Sequence, residues 1–285
     1  MMPTRILTSS PIFHTRTRSH LRFLIIGALI FNLVRGLLTG CSIPVQNNIW
    51  QPKPGTTFQW QLNEPIDLSV SADVYDLDLF ETDPATIQKL HQHGRKVIGY
   101  SSIGAWENWR PDRQQFPKEI IGKDYQGWPG EKWLDIRAID ILAPIIRARL
   151  DLLKSKGFDA IEPDNIDGYE ADTGFPLTQA DQLRFNKWLA KESHDRGLSI
   201  GLKNTHELAS ILQPDFDWAL TEDAFVQGWA SAMSDFIKAG KAVFMTEYTD
   251  TKTSLKLFCP TARALGYTGV FKQRSLDAWR RVCPP

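Results

Sequence analysis

Cysteine is scarce in this 285-residue chain. There are three, and none stands with a second Cys or a His at the spacing of a zinc site. The phosphate loop G-x-x-x-x-G-K-[ST] is missing, which removes the usual device for phosphoryl transfer. A G-x-S-x-G elbow is missing as well, which argues against serine acyl transfer. Carboxylates are plentiful but lack a His partner, so no metal site and no other cofactor is expected. Net charge is also lacking, since 33 Lys and Arg balance 33 Asp and Glu. That zero conceals a division. Residues 1–41 hold five basic residues (Arg5, Arg16, Arg18, Arg22, Arg35) and no acid, which leaves 28 basic against 33 acidic in the remainder, a net of −5. A mildly acidic body argues against nucleic acid as a partner.

The N-terminus reads as targeting. A basic region ending at Arg22 precedes the apolar run Phe23–Val34, the pattern of a secretory signal. The run meets Leu38-Thr39-Gly40-Cys41, which resembles a bacterial lipobox and implies cleavage before Cys41 and a lipid on its thiol. The alternatives are a simple membrane anchor or a signal peptide cut elsewhere. Arg35 counts against a clean transmembrane helix. The expectation is an exported protein, either secreted or held to a membrane by an N-terminal lipid. Cys259 and Cys283 then remain as an even pair, which in an oxidising compartment suggests a disulfide; the alternative is two buried thiols. Residues 42–55 are polar and Pro-rich, as in a tether.

From Thr56 the pattern changes to short apolar or β-branched runs alternating with helical periodicity, the signature of βαβ units and a parallel sheet. Eight strands are predicted: Thr57–Leu62, Ala72–Leu77, Lys96–Ser101, Ala160–Pro163, Ser199–Lys203, Trp218–Thr221, Ala242–Thr246 and Gly269–Lys272. Helices are predicted from Thr82-Asp83-Pro84 to Gly94, over Pro144–Lys156, Thr178–Arg196, Phe225–Ala239 and Ser254–Leu265, with glycine following each as a C-cap. Asp83 and Thr178 read as helix caps. Eight such units over 56–285 predict an α/β fold, a single-domain (β/α)8 barrel of TIM type. Gly104–Asp140, rich in Trp and Pro, is a long insertion of the kind that builds a binding surface.

In such barrels function sits at the C-terminal ends of the strands. Here those ends carry Asp76 and Asp78, Tyr100, Glu162 and Asp164 with Asp167, Lys203 and Asn204, Glu222, and Glu247 with Tyr248. Capping explains any one of them but not six on a single barrel face. Carboxylates dominate, and paired carboxylates are the machinery of glycoside cleavage, one ionised and one holding a proton. Glu162 lies two residues before Asp164 on the same face of its strand, placed to tune it.

The stretch Gly157-Phe-Asp-Ala-Ile-Glu-Pro-Asp-Asn-Ile-Asp-Gly-Tyr169 resembles the signature of glycoside hydrolase family 114, the endo-α-1,4-polygalactosaminidases. So do Ala72-Asp-Val-Tyr-Asp-Leu-Asp78, Gly94–Ser102, Trp106-Glu-Asn-Trp-Arg-Pro111, Trp128-Pro-Gly-Glu-Lys-Trp-Leu-Asp-Ile-Arg137 and Leu198–Asn204, in order. The resemblance implies a (β/α)8 barrel that hydrolyses α-1,4-linked galactosamine polymers, with catalytic carboxylates at Asp164 and Glu222. The family's usual Asn-Glu-Gln-Cys is here Thr221-Glu222-Asp223-Ala224, so the acid is kept and three neighbours differ. Asp164 is expected to be the ionised partner and Glu222 the general acid, with the reverse also open.

Asp76, Asp78 and Asp167 are expected to bind a cationic amino sugar. Tyr100, Trp106 and Tyr248 are expected to pack on sugar faces, and Lys203 with Asn204 to orient the neighbouring carboxylates and the substrate. Two other readings stand beside this one: a non-catalytic polysaccharide-binding surface lipoprotein on the same barrel, and a glycosidase for a different α-linked galactose-type polymer.

Overall fold

The computed structural model describes residues 49–284; the leader, Cys41 and the first part of the tether lie outside them. The strands are β1 (Phe58–Trp60), β2 (Val74–Asp78), β3 (Lys96–Ser102), β4 (Ala105–Glu107), β5 (Ile121–Asp124), β6 (Glu131–Leu134), β7 (Ala160–Asp164), β8 (Ser199–Lys203), β9 (Trp218–Glu222), β10 (Val243–Tyr248), β11 (Thr268–Lys272) and β12 (Arg280–Val282). The helices are α1 (Pro84–Gln92), α2 (Ile139–Lys156), α3 (Gln179–Asp195), α4 (Ala209–Leu212), α5 (Ser234–Lys238) and α6 (Leu255–Leu265).

Eight strands run parallel in the order β1-β2-β3-β7-β8-β9-β10-β11, and β12 adds antiparallel to β11. This is the expected barrel. The eight parallel strands fall on the predicted runs, and the additional β12 was not anticipated. The seam between β11 and β1 is closed by single bonds. Thr268 Oγ1 donates to Thr56 O (2.9 Å), Gln59 Nε2 to Ala278 O (3.1 Å) and Leu62 N to Leu276 O (2.9 Å), and Arg280 binds Phe58 O.

Local chemistry explains the helix ends. Asp83 caps α1 by accepting from Ala85 N, with Pro84 in the first turn, where its missing N–H costs nothing. Thr178 and Asp181 form a capping box at the start of α3. Gly157 and Gly266 end α2 and α6 in the left-handed conformation. One expectation fails. Phe225–Ala239 is not a single helix: the chain turns at Gly228 (φ +84), passes through a 3-10 turn at Ala230–Met233 and ends in the five-residue α5. Glu247 accepts from Phe225 N at 2.8 Å, so the carboxylate of a neighbouring strand holds the segment in its turn.

Alternate strand residues face the barrel axis. Phe58, Val74, Ile98, Ala160, Trp218, Phe244 and Val270 form an apolar floor there, with Phe58 stacked on Phe244 at 4.3 Å. Gly201 makes room for Trp218, whose ring lies 2.4 Å from where a Cβ would stand. One step further along the strands the inward positions turn polar, at Asp76, Glu162 and Lys203, all within 1% of full burial. The floor thus sets the depth of the site. The Gly104–Asp140 insertion is no bare loop: its strands make an antiparallel sheet in the order β4-β6-β5 beside the barrel mouth. Gly104 packs it against the end of β7 so closely that a Cβ would lie 1.6 Å from Asn165 O. Cys259 in α6 is bonded to Cys283 after β12, with Cα atoms 5.3 Å apart.

Candidate active site

Strands β7, β8 and β9 converge on one atom. Lys203 ends β8 and is 1% exposed. Its Nζ lies 2.8 Å from Glu162 Oε1, 2.9 Å from Asp164 Oδ1 and 3.0 Å from Glu222 Oε2. The ring of Trp60 closes a further side, its centroid 4.8 Å from Nζ. Two of its N–H donors are given to Glu162 and Asp164, and Glu222 completes the cluster as an ion pair. Burial depresses the lysine, but the carboxylates outweigh it and hold the group protonated, well above its ordinary pKa. Because Asp164 and Glu222 each place an oxygen within 3.0 Å of the same nitrogen, those oxygens are at most about 6 Å apart, within the span used by carboxylate pairs that cleave glycosides.

Each carboxylate has a tyrosine. Tyr100 OH donates to Asp164 Oδ2 at 3.1 Å, and Tyr248 OH donates to Glu222 Oε1. The Tyr248 ring is fully buried and covered by the Arg274 guanidinium, 3.7 Å from its centroid. Asp223 and Asp250 hold that guanidinium in turn.

Three residues follow these strand ends in the left-handed region: Asn165 (φ +61), Asn204 (φ +47) and Asp223 (φ +55). Asn and Asp tolerate that region better than other L residues. Each side chain then ties its strand to another element. Asn165 Nδ2 donates to Ser102 Oγ (2.9 Å) and Glu131 Oε1 (2.8 Å), Asn204 Oδ1 accepts from Glu222 N (3.0 Å), and Asp223 grips Arg274. The sharp turns aim Asp164, Lys203 and Glu222 inward, and the cross-links fix them there.

Above lies a cleft of about 780 Å³. Asp164, Asp167 and Glu222 are at its base, Tyr125 and Trp128 on the insertion side, and Trp229 stacked on His206 (4.9 Å) on the other. Nine of its lining residues are Asp or Glu and three are Lys or Arg, so the cleft favours a cation. Burial and the nearby Asp164 push Glu131 up to about 8, and burial with Asp164 pushes Asp167 to about 7.

The structure thus gathers Asp164, Glu222, Lys203, Asn204, Tyr100, Asp167 and Asp78 around one cleft, and it reassigns four residues. Asp76 has no exposed surface and lies under Lys203, out of reach of a sugar. Asp78 borders the cleft, but its carboxylate is taken by Arg110 (2.7 Å) and by Phe80 N and Glu81 N, so it anchors the insertion rather than a ligand. Trp106 gives its Nε1–H to Arg113 O and is not part of the cleft wall; the half-exposed Trp109 and Trp128 hold that place. Tyr248 supplies a hydroxyl, not a ring face, because Arg274 covers the ring.

Sequence reasoning missed Trp60, Tyr125, Glu131 and Arg274. Trp60 was accessible from its inward alternation with Phe58. The other three come from the insertion and from the loop after β11, where no periodicity points to the barrel mouth.

The family model described as Glycoside-hydrolase family GH114 matches residues 42–285. Among solved structures, Ega3 of Aspergillus fumigatus in complex with galactosamine is 38% identical, with a TM-score of 0.77, over 82% of this chain and 97% of that one. The glycoside hydrolase domain of PelA from Pseudomonas aeruginosa shares the fold at 14% identity and a TM-score of 0.61, over 81% and 98% of the two chains. An uncharacterized protein of Deinococcus radiodurans is 28% identical over 230 residues, 70% of this chain and 73% of its own length.

Proposed function

The chain belongs to glycoside hydrolase family GH114, and from that premise we propose that it cleaves α-1,4-linked galactosamine polymers with Asp164 and Glu222 as the reacting carboxylates. The observation that carries this reading is the bridge of Lys203 between them. It ties two carboxyl groups from different strands to one nitrogen, and an upper bound of about 6 Å between the bound oxygens favours the narrow pairing of a double displacement over the wider gap of an inverting enzyme. Three donors converge on Asp164: Lys203 Nζ, Tyr100 OH and Asn165 N. Glu222 receives one side-chain hydrogen bond, from Tyr248, beside its ion pair with Lys203, and is the more exposed of the pair, at 24% against 19%.

Asp164 is therefore the nucleophile. Its carboxylate attacks the anomeric carbon while the glycosidic C–O bond breaks and the leaving oxygen takes the proton of Glu222. Water, deprotonated by Glu222, then attacks the same carbon and releases Asp164. The acidic cleft and the galactosamine bound by the relative Ega3 support an amino-sugar polymer as substrate. The apolar leader ending at Cys41 and the Cys259–Cys283 disulfide support export, with a lipid anchor at Cys41 as one route.

The test is incubation with partially deacetylated α-1,4-galactosamine polymer and sizing of the products. Asp164→Asn is expected to lower turnover by roughly 10³-fold or more while oligosaccharide binding persists. Full activity in that variant removes Asp164 from the mechanism. Failure of the unaltered protein to cut any amino-sugar polymer favours the binding-protein reading instead.

A further inference from the structure

Beneath Lys203 sits an acid with no assigned task. Asp76 on β2 and Glu162 on β7 are both 0% exposed and face the barrel interior at the level of Lys203, near enough for the charge on Glu162 to raise Asp76. Among the described residues, no N–H or O–H donor bonds either oxygen of Asp76 or Glu162 Oε2. Glu162 Oε1 is the oxygen that holds Lys203, at 2.8 Å. Among the described residues, four acids (Asp76, Glu162, Asp164 and Glu222) thus share a single cation, Lys203. The other basic groups nearby are committed elsewhere: Arg110 to Asp78 and Glu107, Arg274 to Asp223 and Asp250, and Lys272 to the Asp277 carbonyl. Tyr100, on the strand between β2 and β7, gives its hydroxyl to Asp164.

Two ionised carboxylates buried on neighbouring inward positions, with three unmet oxygens and no exposed surface, is an arrangement a fold does not sustain. One proton removes one of the two charges and engages two of the three oxygens. An O–H on Asp76 fills the vacant Glu162 Oε2, and the remaining charge on Glu162 supports Lys203 from below.

We propose that Asp76 is a neutral carboxylic acid that donates its proton to Glu162, and that this pair is a positioning device fixing Lys203 between Asp164 and Glu222. Burial, then the neighbouring Glu162, push Asp76 well above the carboxylate range, whereas Glu162, opposed by Lys203, rises only to about 7. Glu162 has the ammonium of Lys203 at 2.8 Å and Asp76 has no partner, so the proton belongs on Asp76. The device keeps the ammonium directed upward at two carboxylates and unavailable to substrate. Its catalytic consequence rests on the glycosidase reading; the shared proton does not.

Infrared spectroscopy separates the two. With aspartate carrying 13C in its side-chain carboxyl, a protonated-carboxyl band that shifts with the label is expected in the unaltered protein at about pH 9, where an Asp167 that titrates near 7 has ionised. The absence of such a band overturns the proposal, whatever the enzyme cleaves. Asp76→Asn keeps a neutral donor, so it is expected to leave kcat within about threefold and the pH profile in place, while Asp76→Ala lowers kcat roughly 10²-fold with KM little changed. An Asp76→Asn protein as impaired as Asp76→Ala, or one whose pH profile moves, also overturns it. If the unaltered protein cleaves nothing, the glycosidase reading fails and the infrared band still decides the proton.

Discussion

Replacing Lys203 by Met keeps most of the side-chain volume and removes the charge. At 3.0 Å and an effective dielectric of about 20, each ammonium–carboxylate contact is worth roughly 5 kcal/mol before desolvation is subtracted. Burying the ammonium cancels much of that sum, but the variant leaves three carboxyl groups behind without a counter-charge. Removing one member of a buried ionic cluster typically costs about 3–5 kcal/mol, and a similar loss is expected here in urea melts near pH 8. The sign with pH follows from linkage. Glu162 already sits near 7, above its unfolded value of 4.5, so its stabilising contribution is complete below 4.5 and fades as pH rises through 7. Without Lys203 its folded pKa rises further, and the loss extends to higher pH. The gap between the two proteins should thus be small near pH 5 and widen toward pH 8. Turnover should fall by about 10²-fold or more, because two carboxylates that were fixed to one atom are free to separate. A variant as stable as the parent at pH 8, a gap that does not widen with pH, or unchanged turnover refutes the role assigned to Lys203.

Two further outcomes follow from the structure. Glu131 is held near 8 in the folded protein against 4.5 unfolded, so its contribution to stability is full below about 4.5 and lost as pH rises through 8. Urea melts of Glu131→Gln across that window should show a flatter pH dependence than the parent, by up to about 1.4 kcal/mol per pH unit, and parallel curves would exclude the shift. The Cys259–Cys283 bond closes a segment with a sequence separation of 24, so Cys259→Ser should lose about 2–4 kcal/mol in denaturant melts, with reductant producing the same loss in the parent and none in the variant.

What was legible in the sequence is what local physics decides. The eight parallel strands, the Asp83 and Thr178 caps and the glycine stops at Gly157 and Gly266 each depend on residues within a few positions of one another. Asp164, Lys203 and Glu222 were found because a parallel barrel delivers its strand ends to a single face. The failures are all non-local. The length of α5 depended on Glu247, a strand away, capturing Phe225 N. Asp76 looked like a ligand residue because strand position alone does not give depth, and here the apolar floor lies low enough to leave it under Lys203. Strand position predicts Tyr248 as a platform for a sugar, and nothing near it in sequence announces that Arg274 covers its ring. Of the three altered neighbours of Glu222, Asp223 has a partner visible only in three dimensions, Arg274, and nothing in the structure explains Thr221 or Ala224.

The seam of the barrel bears on how the chain reaches this state. β1 meets the region around β11 and β12 through bonds between residues 212 to 222 positions apart, such as Thr268 to Thr56, Gln59 to Ala278 and Arg280 to Phe58. Loop-closure entropy of that size has to be overcome before any of those contacts forms, so the ring closes late in folding. Until then β1 and β12 are open edges, ready to pair with another chain. Refolding yield should therefore fall with protein concentration, and amide exchange in the native protein should be fastest, among the barrel strands, at β1 and β12.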